Sequence, residues 1–150
     1  GCSSRLLLAR LGGACGARAS ELAPLELSAA AWALARCFKQ PPGGGEGGEA
    51  AAAVVKKLAG SAAGRLEQFT AQGICNLAWA AATTSLEDGG FMARVAEESA
   101  TRLAEFEAQH LSSLAWVLGV TSSGRGSSRG GEGGSEELLL AAISQEALAK

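Results

Sequence analysis

Apolar residues repeat along the chain at fixed positions around its three tryptophans, Trp32, Trp79 and Trp116. Each tryptophan follows an alanine, and apolar residues stand five and ten positions before it. Self-similarity with a period of roughly 20–50 residues is typical of proteins built from stacked repeats. Because no stretch alternates apolar and polar residues as a strand does, the sequence predicts an all-α fold. We expect an α-solenoid of stacked helical hairpins with about seven helices.

The distances between the tryptophans predict a repeat of about 37 residues with insertions. Trp79 and Trp116 are 37 positions apart, whereas Trp32 and Trp79 are 47 positions apart. A stretch rich in glycine and proline at 41–49 accounts for the extra ten residues, and a glycine-rich stretch at 124–135 follows the third copy. We interpret residues 1–150 as a single domain. It divides into a half repeat at 4–21 and repeats at 22–68, 69–105 and 106–150.

Each repeat is predicted to contain two helices. The first, helix A, carries the tryptophan, and the second, helix B, leads into the next copy. Pro24 suits the first turn of a helix, where its missing N–H group costs nothing. Helices A are expected at about 24–38, 70–84 and 107–121. Helices B are expected at about 50–66, 90–105 and 136–149, with one more at about 4–18.

A helical wheel separates the positions of helix A that repeat from those that vary. At about 100° per residue, the positions five, two and one before the tryptophan and two after it share one side. In the third copy they are Leu111, Leu114, Ala115 and Leu118. This side is predicted to pack against the other helices. The tryptophans are predicted to be structural, with each indole filling the gap beside the small alanine that precedes it.

The positions six and three before the tryptophan, and one and four after it, change from copy to copy. They are Glu26, Ala29, Ala33 and Arg36 in the first copy, Gly73, Asn76, Ala80 and Thr83 in the second, and His110, Ser113, Val117 and Val120 in the third. This variable side is predicted to be exposed. Two interpretations of this variation stay open. Either the side chains recognise a ligand that changes along its length, or they belong to a surface whose sequence is not constrained by function.

Composition and charge limit the classes of function. The formal net charge is −2, so the chain lacks the global basic field typical of nucleic-acid-binding proteins. The four cysteines show no C-x-x-C pairing and His110 is the only histidine, so neither a metal site nor a cofactor is predicted. No apolar run is long enough to span a membrane. Because no Ser/His/Asp or paired-carboxylate arrangement is present, we expect no enzyme activity.

The start of the chain has two interpretations. Residues 1–20 carry three arginines, three serines and no acidic residue, which is the composition of an organellar transit peptide. Their leucines also align with helix B of the first repeat, Leu7 with Val54 and Leu11 with Leu58. We favour this second interpretation, a helix of a preceding half repeat. Since the chain begins with glycine instead of methionine, we expect it to be a fragment or a processed protein.

The copies around Trp79 and Trp116 resemble a known group of helical-repeat proteins. The segment from Phe69 to Ala82 carries an aromatic residue, a short spacer with glutamine, and an apolar-asparagine-x-x-tryptophan-alanine core. This pattern is similar to the octotricopeptide and heptatricopeptide repeats of organellar proteins, which are related to FAST-kinase-like leucine-rich proteins and RNA-editing substrate-binding complex proteins. The third copy has serine in place of the asparagine. The first copy has Leu25 in place of the glutamine and alanine in place of the asparagine.

The resemblance implies an RNA-binding module in the mitochondrial matrix or the chloroplast stroma. Its implied roles are RNA processing, mRNA stability, editing or translation. The implied ligand is a single-stranded organellar transcript or rRNA, with other proteins of an RNA-processing complex or ribosome as further partners, and no membrane. The alternative is a protein-interaction scaffold, for example a structural component of an organellar ribosome. The near-neutral charge and the small apolar residues of the variable side favour that alternative.

Candidate RNA contacts come first from the helices A. On the variable side they are Glu26, Arg36, Asn76, Thr83, His110 and Ser113. Gln72 and Gln109 stand at the start of a helix A, three residues after an aromatic residue. These two glutamines either cap the helix or, as the resemblance implies, lie near the bound strand.

Arginines supply the other candidate contacts. Arg18, Arg65 and Arg102 each stand fourteen residues before a tryptophan, so stacked copies would place them in a row suited to phosphates. We favour the alternative that they stabilise the end of each helix B and pair with nearby glutamates. The stretch 124–131 resembles a short RGG-type segment that could contact RNA, but we favour a solvated linker.

Overall fold

The computed structural model describes residues 2–38, 46–84, 89–124, 141, 143–145 and 148. Six α-helices and two short 3-10 helices make up this part of the chain, and no strand occurs in it. The predicted all-α class is therefore confirmed. Two predicted segments lie outside the described residues. They are the first insertion as far as residue 45 and the RGG-type stretch 124–131, of which only Gly124 is described.

The helices alternate along the chain between the two predicted kinds. In chain order they are α1 (Cys2–Ala17), α2 (Pro24–Phe38), α3 (Glu46–Ala63), α4 (Ala71–Thr83), α5 (Gly89–Thr101) and α6 (Ala108–Gly124). The tryptophans lie on α2, α4 and α6, which are the helices A, whereas α1, α3 and α5 are helices B. Residues 141, 143–145 and 148 are also helical, and they are the described part of the helix predicted at 136–149.

Helix boundaries differ from the expected ones mainly in the helices B. Each helix A begins within one residue of its expected start, but α3 ends at Ala63 and α5 at Thr101, several residues early. The 3-10 helices Leu66–Gln68 and Leu103–Glu105 follow them and turn the chain toward the next helix A. At its other end α3 starts at Glu46, inside the glycine-rich stretch. The alanine-rich turns that follow favour helix and offset the cost of about 1 kcal/mol for each glycine.

The helices A pack side by side, and so do the helices B. Helix α4 packs against α2 on one side and α6 on the other, while α3 packs against α1 and α5. Helices α2 and α3, and likewise α4 and α5, also pack against each other. The side of helix A predicted to pack is buried, as at Leu27, Ile74 and Leu111. That part of the helical-wheel prediction is confirmed.

The apolar residues ten and five positions before each tryptophan fix how the chain enters helix A. In the second copy, Phe69 directly precedes Thr70, the N-cap of α4, and Ile74 is the fourth residue of that helix. A buried apolar pair at these positions is a hydrophobic staple, which sets the angle of entry. Phe106 and Leu111 are buried at the same positions of the third copy. Part of the sequence repeat therefore encodes helix starts.

Candidate binding face

The third residue of helix A, six positions before the tryptophan, caps the helix in the first and third copies. The side chain of Glu26 accepts a hydrogen bond from the Ala23 N–H (2.9 Å), and His110 Nδ1 accepts one from the Glu107 N–H (3.2 Å). In the second copy the third residue is Gly73, and its N–H donates to Thr70 Oγ1 instead (3.1 Å). These contacts are the two halves of a capping box, in which side chains satisfy the free N–H groups of the first turn. Helix capping thus explains Glu26 and His110.

Half of the predicted variable side faces a neighbouring helix and not solvent. Ala80 and Val117, one position after their tryptophans, are 0% and 1% exposed. A Cβ atom on Gly73 would lie 3.4 Å from the Ser28 hydroxyl of α2, so this position also faces the preceding helix A. The prediction of an exposed side holds at all its positions only in α2. The contact between consecutive helices A, which the helical wheel does not include, covers the rest.

The accessible face of the helices A instead includes the tryptophans. It consists of the positions seven and three before the tryptophan, the tryptophan itself, and four after it, which share an arc of about 60°. In chain order these are Leu25, Ala29, Trp32 and Arg36, then Gln72, Asn76, Trp79 and Thr83, then Gln109, Ser113, Trp116 and Val120. We call this set the tryptophan face. Trp79 is partly buried against the core, as expected of a structural tryptophan, whereas Trp32 is 37% and Trp116 48% exposed.

The tryptophans of neighbouring copies interact along this face. The ring centroids of Trp32 and Trp79 are 6.5 Å apart, and their planes are inclined by 42°. The guanidinium of Arg36 lies 5.1 Å from the centroid of the Trp32 ring, which is the geometry of a cation–π interaction. An exposed cation therefore stands beside an exposed indole.

Three of the predicted site residues form a hydrogen-bonded chain beside Trp79. Because His110 Nδ1 accepts the Glu107 N–H, the ring proton lies on Nε2, which donates to Gln72 Oε1 at 2.9 Å. Gln72 Nε2 in turn donates to Asn76 Oδ1 at 2.9 Å. This chain crosses from α6 to α4, so the tertiary structure brings together two amides and an imidazole. It also fixes the orientation in which Gln72 and Asn76 present their remaining groups.

The other predicted site residues of the face lie outside this hydrogen-bonded chain. Ser113 Oγ donates to the Gln109 carbonyl at 2.9 Å, within α6. Thr83 Oγ1 is buried and has no hydrogen-bond partner among the described residues. Gln109 is exposed, and its amide lies on the same arc as Trp116.

Two of the recurring arginines connect the end of a helix B to the residues before the preceding helix A through backbone carbonyls. Arg65 Nη2 donates to the carbonyls of Ala19 (3.1 Å) and Leu22 (3.0 Å). Arg102 Nη1 makes the matching bond to the carbonyl of Phe69 (3.0 Å), ten residues before the tryptophan, as Leu22 is in the first copy. Their donors are thus used inside the protein. This geometry fits the structural interpretation and leaves little for a row of phosphate contacts.

Carboxylates neutralise Arg102 and Arg18. Arg102 contacts Glu98 (3.2 Å) and Glu105 (2.6 Å). The hydrogen bond between Arg102 and Glu105 raises the pKa of the guanidinium and lowers the pKa of the carboxyl. Arg18 lies in solvent and bonds only Glu21 among the described residues, at 2.7 Å, which raises the pKa of Arg18.

A shallow depression of about 430 Å³ lies at the start of α4, next to the tryptophan face. Glu67, Thr70, Gln72, Arg102, Glu105 and His110 contribute to its lining. Since Glu105 and Glu98 already pair with Arg102, the depression does not offer a free cation to an anionic ligand. Its polar groups are suited to hydrogen bonding.

Searches for other kinds of site and for similar proteins give no positive result. No group of three or more His, Cys, Asp or Glu side chains in the described residues could hold a metal ion. None of the described helices is long and apolar enough to cross a membrane. Comparisons with protein-family models, curated proteins and solved structures give no match for the chain.

Proposed function

We propose that the chain is an α-solenoid of stacked helical hairpins whose tryptophan face binds single-stranded RNA. The side-by-side packing of helices A and of helices B supports the solenoid architecture. The resemblance to octotricopeptide-type repeats supports RNA as the ligand. It also favours a role in RNA processing, stability, editing or translation in the mitochondrial matrix or chloroplast stroma.

The observation that carries this proposal is the row of partly exposed indoles with amides beside it. Unstacked bases of single-stranded RNA bind by stacking on aromatic rings and by hydrogen bonds to their edges. Trp32 and Trp116 offer exposed rings, and Gln72 and Asn76 offer amide groups held in place by a hydrogen-bonded chain. The face therefore combines the two kinds of contact that single-stranded bases require.

Stacking, more than charge, is expected to supply the affinity. Arg36 is the one cation among the described residues of the face. Arg65 and Arg102 lie outside the face, at the ends of helices B, and bond backbone carbonyls. Few phosphate contacts mean a shallow dependence of affinity on salt concentration, since each contact releases about one counterion. We expect weak binding that changes little between low and moderate salt.

Tryptophan fluorescence provides a direct test of this proposal. The chain has three tryptophans and no tyrosine, and all three tryptophans belong to the face, so its emission reports on the face alone. Titration with an oligouridylate about ten nucleotides long should quench the emission, because bases stack on the exposed indoles. Unchanged emission together with no retention of the oligonucleotide in a filter assay would contradict the proposal.

Substitutions at Trp116 separate stacking from nonspecific effects. Trp116→Ala should weaken RNA binding by about 5- to 150-fold, which corresponds to about 1–3 kcal/mol for one stacked base. Trp116→Phe should retain most of the affinity because it keeps an aromatic ring. Lys56→Ala serves as the control, since Lys56 is exposed on α3, away from the face. Filter binding measures all three without depending on emission.

A protein-interaction scaffold is the second candidate function. Trp32, Trp116, Leu25 and Val120 are exposed apolar residues on one face, and tryptophan is enriched among residues that dominate protein interfaces. The net charge of −2 fits a protein partner better than RNA. If the oligonucleotide leaves the emission unchanged while a component of an organellar ribosome or RNA-processing complex alters it, the scaffold function is favoured.

A further inference from the structure

Helices α1 and α2 expose residues at positions whose equivalents, further along the chain, contact the preceding helices. We call these positions, Leu7, Arg10, Leu11, Arg18 and Ala33, the α1–α2 edge. Each has an equivalent 47 positions later in the chain and another 37 positions after that. The equivalents are Val54, Lys57, Leu58, Arg65 and Ala80, then Phe91, Arg94, Val95, Arg102 and Val117.

Apolar residues at the edge are exposed where their equivalents are buried. Leu11 is 53% exposed, whereas Leu58 and Val95 are fully buried. Leu7 is 58% exposed, whereas Phe91 is 3% exposed and Val54 is half-buried. Ala33 is likewise exposed on α2, although its equivalents on α4 and α6 are buried. The apolar positions of the edge are therefore covered, fully or in part, twice in the chain and exposed once.

The arginines of the edge also differ from equivalent arginines further along the chain, which bond backbone carbonyls. Arg94, equivalent to Arg10, donates to the carbonyl of Ala63 at 2.8 Å, near the end of the preceding helix B. Arg65, equivalent to Arg18, donates to the carbonyls of Ala19 and Leu22. Arg10 and Arg18 are both exposed, and among the described residues the side chain of Arg18 bonds only the exposed Glu21.

We propose that the α1–α2 edge binds a further helical pair of the same repeat type. The partner presents an apolar helix side to Leu7, Leu11 and Ala33. Backbone carbonyls near the end of its helix B accept hydrogen bonds from Arg10 and Arg18. The edge continues an interface that occurs twice in this chain, and it is separate from whatever the tryptophan face binds.

An extended chain tests the fit of such a partner. Residues 46–88, which contain the helical pair α3 and α4 with the 3-10 helix between them, replace residues 1–4. Arg5 then follows this copy in the place of Gly89, which is its equivalent. The copied helix A should cover Leu11, and the carbonyl of its Phe69 should accept from Arg18. Denaturation in urea, followed by circular dichroism, should give a higher midpoint than in the parent chain.

Leu11→Ala distinguishes a matched interface from general stabilisation. In the extended chain it should lower the folding equilibrium constant about thirtyfold or more, as for a buried leucine. In the parent chain the loss should stay below about fivefold, because the side chain is half exposed. Leu25→Ala is the matched control, since Leu25 is exposed on the tryptophan face, and its effect should be small in both chains.

Two outcomes would overturn the proposal. One is an extended chain that is unfolded or less stable than the parent. The other is an equal effect of Leu11→Ala in both chains. If Arg10→Glu with Arg18→Glu lowers RNA affinity but leaves the stability of the extended chain unchanged, the edge is a nucleic-acid surface instead. Failure of RNA binding at the tryptophan face would leave this test unaffected.

Discussion

Arg65 and Arg102 illustrate how one side chain can connect the two helices of a repeat. Each reaches a carbonyl that lies ten residues before the preceding tryptophan, at 3.0 Å in both cases. Charged donors form stronger hydrogen bonds than neutral ones. The repetition of this bond indicates that the arginines hold the end of each helix B at the start of its helix A.

Arg65→Ala is expected to lower the free energy of unfolding by about 1–3 kcal/mol, because it removes a charged donor from the carbonyls of Ala19 and Leu22. Urea denaturation followed by circular dichroism measures the change. Arg18→Ala is the matched control and should have no measurable effect, since the exposed side chain of Arg18 bonds only Glu21 among the described residues. Equal effects of the two substitutions would show that the bonds of Arg65 to these carbonyls do not stabilise the fold.

Cys75 is expected to make stability fall at alkaline pH. Burial raises the pKa of its thiol to about 12 in the folded chain, whereas an exposed thiol has a pKa near 8.5. Above that pH the unfolded chain loses this proton while the folded chain keeps it. The free energy of unfolding should therefore decrease between about pH 9 and pH 12, by up to about 1.4 kcal/mol per pH unit from this group.

Cys75→Ala should reduce the alkaline decrease, as measured by urea midpoints at a series of pH values. Alkylation by iodoacetamide at pH 8 gives a second readout, in which Cys37 should react and Cys75 should not, because Cys37 is exposed and Cys75 is buried. Equal alkylation rates of the two thiols in the folded chain would contradict the burial of Cys75.

At the scale of the helix, the three helices A are capped by different residues. Glu26 and His110 cap the first turns of α2 and α6 from the third position, whereas Thr70 caps α4 from the N-cap. The absence of a side chain at Gly73 also lets α4 approach Ser28 of α2. Variation at this position therefore reflects capping and close packing, without any need for ligand recognition.

Two glycines should respond to substitution in opposite directions. Gly60→Ala should raise the free energy of unfolding by up to about 1 kcal/mol, because a Cβ at this exposed helical position meets no other atom. Gly73→Leu should lower it by about 1–3 kcal/mol, since a Cβ there already lies 3.4 Å from atoms of Ser28, Phe69 and Thr70. Thermal denaturation of both variants measures the two shifts. A stable Gly73→Leu variant would mean that α2 and α4 are not closely packed.

On the scale of the whole molecule, packing is unequal among the helices. Helix α4 packs against α2, α3, α5 and α6, whereas α1 packs mainly against α3 and exposes three of its leucines. Helices with more buried contacts open less often. Stability should therefore be highest in the middle of the described chain and lowest at α1.

Hydrogen exchange should reveal this gradient. Backbone amides of α4 should exchange most slowly and those of α1 fastest among the described helices, because local opening of α1 disrupts fewer contacts. Mass spectrometry of peptic fragments after exchange in heavy water measures the order. Uniform exchange along the chain would indicate a single cooperative unit, and faster exchange in α4 than in α1 would contradict the packing.

Among the site residues, the sequence identified the helices but misjudged the direction in which some side chains point. Gln72, Asn76, Gln109 and Ser113 do lie on the exposed face with the tryptophans. The sequence feature that predicts this face is the arc that the tryptophans share with the positions seven before, three before and four after them. The alanine before each tryptophan indicated packing, although an indole beside an alanine can also remain accessible.

The sequence by itself determined the helices, their staples and the side that packs within each pair. These features depend on contacts a few residues apart, and the helical period makes such contacts visible in the order of apolar residues. Only the tertiary structure decided that consecutive helices A contact each other, that Arg65 and Arg102 bond carbonyls before the preceding helix A, and that Trp32 and Trp116 are exposed. Those outcomes depend on the angle and distance between helices more than thirty residues apart, which a pattern within one helix does not specify.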